Sequence, residues 1–347
     1  MQALPNQKLR VGLVGFGMAA QVFHLPLLLA AERFDVTHVL ERTKEASRAV
    51  LPNARIVRSM AALVATDIDV VVIASPSNLH YEQAAAALAA KKHVVVDKPM
   101  CVTAAEADAL LGAAAEANVV LTVFQNRRWD ADFLTVRKLL AAQTLGKVHH
   151  FEAHYDRYRP ALKDVWREDI NVPGSGLVYD LGAHLVDQML VLFGPPTSIH
   201  ADVQSQRKGY VNDDYFRFEC TYPGLSVVLT AGMLVKEPTP KYTIRGENGT
   251  YIKFGEDGQE AALKAGRTPK TEGGAWGVEP ESLWGHLQLG DAPAQAVASV
   301  PGNYDAFYTG LADTIQLGTP LLVRPEESAA VIRFLEAAKA TFLETKQ

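Results

Sequence analysis

Two stretches of this 347-residue chain carry side chains able to move a proton. The apolar run Val94–Val96 passes directly into Asp97-Lys98-Pro99. A proline biases its predecessor away from helical geometry, so Lys98 stands at the extended end of a strand. An ammonium there can donate to an oxygen and stabilise charge gathering on it, with Asp97 placed to orient it. The second stretch, Asp180-Leu181-Gly182-Ala183-His184, lies in a helical pattern over 177–192. Four-residue spacing puts Asp180 and His184 on one helix face. His184 has the titration range of a general acid/base, and Asp180 can orient it or bind a hydroxyl. A lysine that polarises an oxygen and a histidine that takes its proton are what an alcohol–carbonyl couple requires. The plainer alternatives are a solvated lysine and a structural Asp–His pair. No third ligand at convincing spacing turns Asp180 and His184 into a metal site.

Such chemistry needs a hydride carrier, and the N-terminus offers a seat for one. The strand pattern 9–15 runs into Gly15-Phe16-Gly17-Met18-Ala19-Ala20 and then a helix over 20–31. The first glycine permits a tight turn, the second lets backbone approach a pyrophosphate, and Ala20 allows close packing of helix on strand. The helix N-terminus adds N–H donors. Glu41 follows the second strand, 36–40, where an acid accepts from the adenine ribose and favours NAD over NADP. Arg42 and Lys44 pull the other way, since either can pair with the extra phosphate of NADP. The third strand, 70–74, leads into Ser75-Pro76-Ser77-Asn78 and His80. In an open α/β sheet ligands lie beyond the carboxyl ends of strands, which places Ser75 and Asn78 beside the dinucleotide; Ser77 or Asn78 can also cap the next helix.

Arginines and aromatic rings gather in two further segments, Gln125-Asn126-Arg127-Arg128-Trp129-Asp130 and 154–160 with Trp166-Arg167 beyond. Arg127, Tyr155, Arg157 and Trp166 suit a hydroxylated or anionic substrate through hydrogen bonds and stacking. An interdomain salt-bridge network is the competing reading.

The elements that position these residues change character along the chain. Up to about Phe124, β-branched strands (9–15, 36–40, 70–74, 94–96, 119–124) alternate with alanine-rich helices (20–31, 79–90, 104–118). That alternation predicts a doubly wound parallel sheet. Thr103 and Glu106 make a capping box for the third helix. Beyond a helix over 131–142, strands dominate: 148–155, 216–222, 226–234, 242–245 and 251–254. Several alternate apolar with polar, as antiparallel strands do. Helices over 304–317 and 326–344 close the chain, and 255–277 reads as a surface loop with one helical turn at 260–264. The expected division is a dinucleotide-binding domain over 1–126 and an α+β substrate domain with a large, mostly antiparallel open sheet over 127–347. The alternating strands of the latter need a cover, best supplied by a second copy of the chain.

Composition narrows the field. Apolar residues make up 48%, charged residues 21%, and the net charge is -5. Scattered Lys and Arg give no nucleic-acid footprint. Cys101 and Cys220 form no motif, and reduced thiols in a cytoplasm fit best. No apolar run approaches the ~20 residues of a membrane helix, and no signal-peptide pattern opens the chain.

Taken together, Gly15-Phe16-Gly17, His24-Leu25-Pro26, Ser75-Pro76 with His80, Asp97-Lys98-Pro99 and Asp180-Leu181-Gly182-Ala183-His184 resemble the motifs of the Gfo/Idh/MocA oxidoreductases. Asn126-Arg127-Arg128-Trp129-Asp130, Tyr158-Arg159-Pro160, Trp166-Arg167-Glu168 and Asp257-Gly258-Gln259-Glu260 are similar to the scyllo-inositol dehydrogenase-like branch. The resemblance implies a Rossmann domain, a mixed α/β domain whose open sheet forms homodimers or homotetramers, and NAD or NADP as cofactor. It implies Lys98 and His184 as catalytic residues assisted by Asp180, acting on a polyol, cyclitol or sugar. It implies dinucleotide contacts from Gly15, Phe16, Gly17, Met18, Ala19, Glu41, Arg42, Ser75, Pro76, Asn78, His80, Asp97, Lys98 and Asn126. Three positions depart from the pattern. Glu41 stands where NADP-using relatives have serine, Asp97 replaces glutamate, and Gln125 replaces histidine. The scaffold also hosts NAD-dependent glycoside cleavage and nucleotide sensing without catalysis, so the fold does not fix the substrate.

Overall fold

The structure, a computed structural model, describes residues 7–344. By their contacts the residues form two compact units. The first takes residues through Asn126, Gln259–Trp276 and Tyr304–Ile332; the second takes Arg127–Gly258, Gly277–Asn303 and the residues from Arg333 on. By contacts, the two distant segments Gln259–Trp276 and Tyr304–Ile332 thus group with the residues before Arg127.

In that unit β1 (Leu9–Val14), β2 (Phe34–Leu40), β3 (Arg55–Val57), β4 (Val70–Ile73), β5 (His93–Asp97) and β6 (Leu121–Phe124) form one sheet. Its order is β3-β2-β1-β4-β5-β6, with every pair parallel. The winding reverses between β1 and β4, which opens a crevice beyond their carboxyl ends. Val70–Val72 and Val94–Val96 have no exposure at all, as strands covered on both faces require. The crossover after β1 begins π-wound over Ala20–His24 and continues as α1 (Leu25–Ala30). The later crossovers carry α2 (Met60–Val64), α3 (His80–Ala89) and α4 (Ala104–Ala117), the last with its Thr103–Glu106 capping box formed. Edge strand β3 and helix α2 are too short to show a period in the sequence.

The second unit contains α5 (Ala131–Ala141) and α6 (Ala183–Phe193). Its sheet comprises β7 (Val148–His154), β8 (Ser198–Gln204), β9 (Tyr215–Tyr222), β10 (Leu225–Gly232), β11 (Tyr242–Gly246), β12 (Gly249–Lys253), β13 (Gly285–Leu289) and β14 (Gln295–Val297). The order is β14-β13-β12-β11-β7-β10-β9-β8. Its pairs are antiparallel except β7 with β10. In β9, Phe216, Phe218, Cys220 and Tyr222 are buried while Arg217, Glu219 and Thr221 face outward. The inner face packs on α6: Phe151 meets Phe193 at 5.2 Å between ring centroids, and the Tyr242 hydroxyl donates to Gln188 at 2.8 Å.

The remaining helices are α7 (Gln259–Lys264), α8 (Pro269–Glu272), α9 (Ala306–Leu317) and α10 (Pro325–Glu344). The expected surface loop 255–277 is thus largely helical and partly internal. Ala262, Leu263 and Trp276 are buried, and the Gln259 side chain accepts from Tyr304 N at 2.8 Å. Lys264 and Lys270 face out, and the charged residues along the segment mask the apolar positions between them in the sequence. Ala329 and Ile332 of α10 join the core built on β4 and β5, and Thr122 of β6 donates to Val323 O at 2.8 Å.

Candidate active site

Gly15 ends β1 at φ 84°, and a Cβ there would meet Ala74 O at 3.3 Å. Only glycine holds this turn without strain. A Cβ on Gly17 would meet nothing within 4 Å. The backbone is therefore open where a pyrophosphate would lie. The first backbone bond beyond it runs from Gln21 N to Gly17 O at 3.0 Å, leaving the preceding N–H groups outside the helical ladder. Gly17 and Met18 are exposed, and Phe16 and Ala19 half-buried. This cradle fits a dinucleotide.

Glu41, the expected ribose ligand, follows β2. It is buried, and its carboxylate accepts from Ala46 N and Ser47 N, both at 2.9 Å. The carboxylate caps the turn Ala46–Ala49. Arg42 is exposed beside it. The Ser75 hydroxyl donates to Gln83 at 2.6 Å, and Ser75 O and Pro76 border the next turn with exposed Asn78.

His80 is buried and contacts backbone. Its Nδ1 lies 2.7 Å from Pro99 O and its Nε2 2.9 Å from Ser75 O. Both partners only accept, so the ring satisfies both only when doubly protonated. Burial outweighs the charge of Asp97 and lowers its pKa. His80 thereby ties the segment carrying Lys98 to the loop after β4. Asp97 accepts from Lys98 N at 2.8 Å and lies 3.8 Å from His24 Nε2. Burial pushes the Asp97 carboxyl up, but His24, Lys98 and His80 hold it below its ordinary value. His24 Nδ1 in turn meets the Tyr308 hydroxyl at 2.6 Å. The sequence marks His24 only as part of His24-Leu25-Pro26; Tyr308, far along the chain, carries no local signal.

In the second unit, Asp180 falls within a π-wound turn, Val178–Gly182, and His184 on the α-helix that follows. The i,i+4 rule of a regular α-helix therefore does not describe this pair. Asp180 lies 3.8 Å from Arg167 Nε, and Arg167 stacks over Trp166 at 4.5 Å, so Trp166, Arg167 and Asp180 are brought together. The turn is held at its start by Asp213, which accepts from Val178 N at 2.7 Å and pairs with Lys339. Gly176, at φ 93°, is required there, since a Cβ would sit 2.0 Å from Asp213 Oδ1.

His184 lies 6.3 Å from the buried ring of Tyr155, centroid to centroid. Three cations surround that ring: Lys241 Nζ at 3.4 Å, Arg127 Cζ at 4.9 Å and Arg157 Cζ at 5.0 Å from its centroid. Arg157 pairs with Glu256, and Arg127 with Asp130 at 3.3 Å. The Tyr155 hydroxyl and Lys241 Nζ are buried without a hydrogen-bond partner. Burial pushes the Lys241 ammonium down to about 8, while buried Asp132 opposes this and is itself pushed up to about 6 by burial. Of the Asn-Arg-Arg-Trp-Asp run, Asn126 is buried, and Arg128 pairs with Asp187 at 2.7 Å, a structural role. Lys241 was not legible: it precedes β11, where period-two reading leaves a charged residue in solvent.

A six-stranded parallel sheet with a glycine cradle at its switch point, joined in one chain to a mostly antiparallel α/β unit, defines a two-part dinucleotide-dependent oxidoreductase. Residues 9–125 match the oxidoreductase family model for the NAD-binding Rossmann fold, and 133–252 match the Gfo/Idh/MocA C-terminal domain. The chain belongs to the Gfo/Idh/MocA family and is an NAD(P)-binding dehydrogenase acting on CH–OH groups. It is 38% identical to scyllo-inositol 2-dehydrogenase (NADP(+)) IolW of Bacillus subtilis over 95% of this chain and 92% of that protein. The solved structure of YvaA from Bacillus subtilis is 37% identical with a TM-score of 0.93, covering 98% of this chain and 97% of that one. YPO2259 from Yersinia pestis gives 39% and 0.90, covering 98% and 96%. No helix among the described residues is long and apolar enough to cross a membrane.

Proposed function

We propose that the protein oxidises a carbinol carbon of a polyol, cyclitol or sugar, or reduces the corresponding ketone, as a homo-oligomer. The observation that carries this reading is His184 beside Tyr155, whose ring is met by Lys241, Arg127 and Arg157, with the carboxylates of Asp130 and Glu256 on the two arginines. Hydroxyl groups both donate and accept, and mixed donors and acceptors of this kind suit them. The relationship to a scyllo-inositol 2-dehydrogenase supports an inositol as first candidate.

When bound, the nicotinamide supplies the hydride acceptor or donor. In oxidation His184 takes the hydroxyl proton as general base. Lys98 donates to the substrate oxygen and stabilises its developing charge. Asp180, held by Arg167 and by the Asp213-capped turn, orients a substrate hydroxyl or His184. The pair Asp97 and His80 fixes the backbone on either side of Lys98.

The test is nicotinamide reduction by the purified chain, with NAD and NADP separately, across inositols, aldoses and 2-hydroxy acids. Turnover of an inositol or aldose is expected. Turnover confined to 2-hydroxy acids overturns the polyol reading, and release of free sugar from a glycoside without net reduction replaces it with redox-assisted glycoside cleavage.

A further inference from the structure

We propose that His24 and Tyr308 are positioning residues for Lys98 that act through Asp97: the Tyr308 hydroxyl fixes the ring proton of His24 on Nε2, and that N–H is directed at the Asp97 carboxylate. The inference rests on the proposed role of Lys98 and adds the residues that hold it ready.

Three distant pieces of one unit meet here. His24 ends the π-wound turn Ala20–His24, immediately before α1. Asp97 ends β5, and Tyr308 lies on α9. His24 and Tyr308 have no exposure. Phe124 packs on both rings, 4.6 Å from His24 and 5.9 Å from Tyr308 between centroids. Polar groups enclosed in this way must satisfy one another.

The direction of the Tyr308 bond follows from its chemistry. Its oxygen lies 2.6 Å from His24 Nδ1. Burial and the charge of Asp97 hold the phenol well above its ordinary pKa, so it keeps its proton and donates. The reverse arrangement would leave that buried proton without an acceptor among the described residues. With Nδ1 accepting, the imidazole carries its proton on Nε2. Nε2 is buried, makes no hydrogen bond among the described residues, and stands 3.8 Å from Asp97 Oδ1. A closure of about 1 Å completes a hydrogen bond. A bare Nε2 would instead turn a lone pair on the carboxylate.

Oδ1 is also the atom that accepts the backbone N–H of Lys98, at 2.8 Å. His24 and Lys98 thus converge on one carboxylate oxygen. An ionised carboxylate is the stronger acceptor and places a counter-charge beside the Lys98 ammonium. Burial works against ionisation of Asp97, and His24 leads the groups that restore it, ahead of Lys98 and His80.

The experiment compares His24→Leu, His24→Gln and Tyr308→Phe with the native chain, using the inositol or aldose turned over fastest. His24→Leu is expected to lower kcat about tenfold, with KM and the dinucleotide Kd within about threefold. Glutamine keeps an N–H donor near the place of Nε2, so His24→Gln is expected to recover most of that loss. Tyr308→Phe is expected to lower kcat about threefold. It removes one oxygen from a packed ring and carries the test if thermal melting shows His24→Leu unfolded. In a Lys98→Met background, His24→Leu is expected to add less than about twofold, because its effect runs through Lys98. Without substrate, nitrogen NMR of isotope-labelled histidine is expected to show His24 protonated at Nε2 alone, and Tyr308→Phe to lose that single form. A ring protonated at Nδ1, native kcat in Tyr308→Phe and His24→Leu, a His24→Gln no faster than His24→Leu, or a full further loss on top of Lys98→Met overturns the inference alone. Unchanged turnover in Lys98→Met, or no turnover of any inositol or aldose, overturns the underlying reading and this inference with it.

Discussion

At the scale of single residues, the arrangement separates groups that act from groups that hold. Lys98 is flanked by a carboxylate that accepts its backbone N–H and by a carbonyl, Pro99 O, bound to His80. Its place is thus set by backbone, and in the proposed role its ammonium donates to the substrate oxygen. Replacing it with methionine keeps the length of the side chain and removes the donor. Lys98→Met is expected to lower kcat by about a hundredfold or more, the scale seen when a donor to a developing oxyanion is lost. The Kd for the reduced nicotinamide dinucleotide should stay within about threefold. Steady-state rates and a fluorescence titration on the same preparation check both halves, and unchanged turnover removes Lys98 from the chemistry.

At the scale of elements, two candidate-bearing turns share a departure from regular helix. Ala20–His24 and Val178–Gly182 are both π-wound, one ending at His24 and the other containing Asp180. Such turns recur at functional sites because they re-aim side chains. A heptad or i,i+4 reading cannot see them. The sequence shows a helix, a glycine before it and the candidate residues, but not their directions. In the same way the type and position of Glu41 are legible, while its rotamer is set by the N–H groups of Ala46 and Ser47. The parallel sheet was legible because both its faces are covered, making its strands continuous apolar runs. Strand β7 was legible too, but its outward face was not. There His154 lies 2.8 Å from Asp156 and 3.0 Å from Glu152. Burial lowers the His154 pKa, but these carboxylates outweigh it and hold the imidazole above its ordinary value. A raised pKa in the folded state means stability that is fully present below about pH 6.5 and lost as pH rises through the raised value. His154→Gln is therefore expected to cost up to about 1 kcal/mol at pH 5.5 and less at pH 9. Thermal midpoints of both proteins across that range show it, and a pH-independent difference contradicts the ion-pair account.

At the scale of the molecule, the open sheet raises the question of what it meets. Its inner face is filled by α6 and by the end of α10, where Phe218 meets Phe334 at 5.2 Å. The outer face carries His150, Glu152 and His154 of β7, Arg217 and Glu219 of β9, and Thr243 and Arg245 of β11. Unlike charges stand next to one another across it, with Arg217 Nε 2.9 Å from Glu219. A surface on which both signs alternate along antiparallel strands can be laid against a copy of itself by a two-fold axis, each carboxylate finding a cation. This favours self-association over a partner of one charge, and the net charge of -5 gives no general pull toward nucleic acid. Light scattering coupled to gel filtration is expected to return a dimer or tetramer, with or without NADPH. Ser226 sits on the same outward row, opposite His150 and Thr221, and is exposed. Ser226→Arg adds bulk and charge on the proposed interface, near the turn between β9 and β10, without touching the inner core. It should shift the mass toward the monomer while leaving the circular dichroism spectrum and the NADPH affinity in place, because the dinucleotide cradle is built within the other unit. A variant that keeps the wild-type mass would move the interface off this face, and a wild-type monomer would remove it.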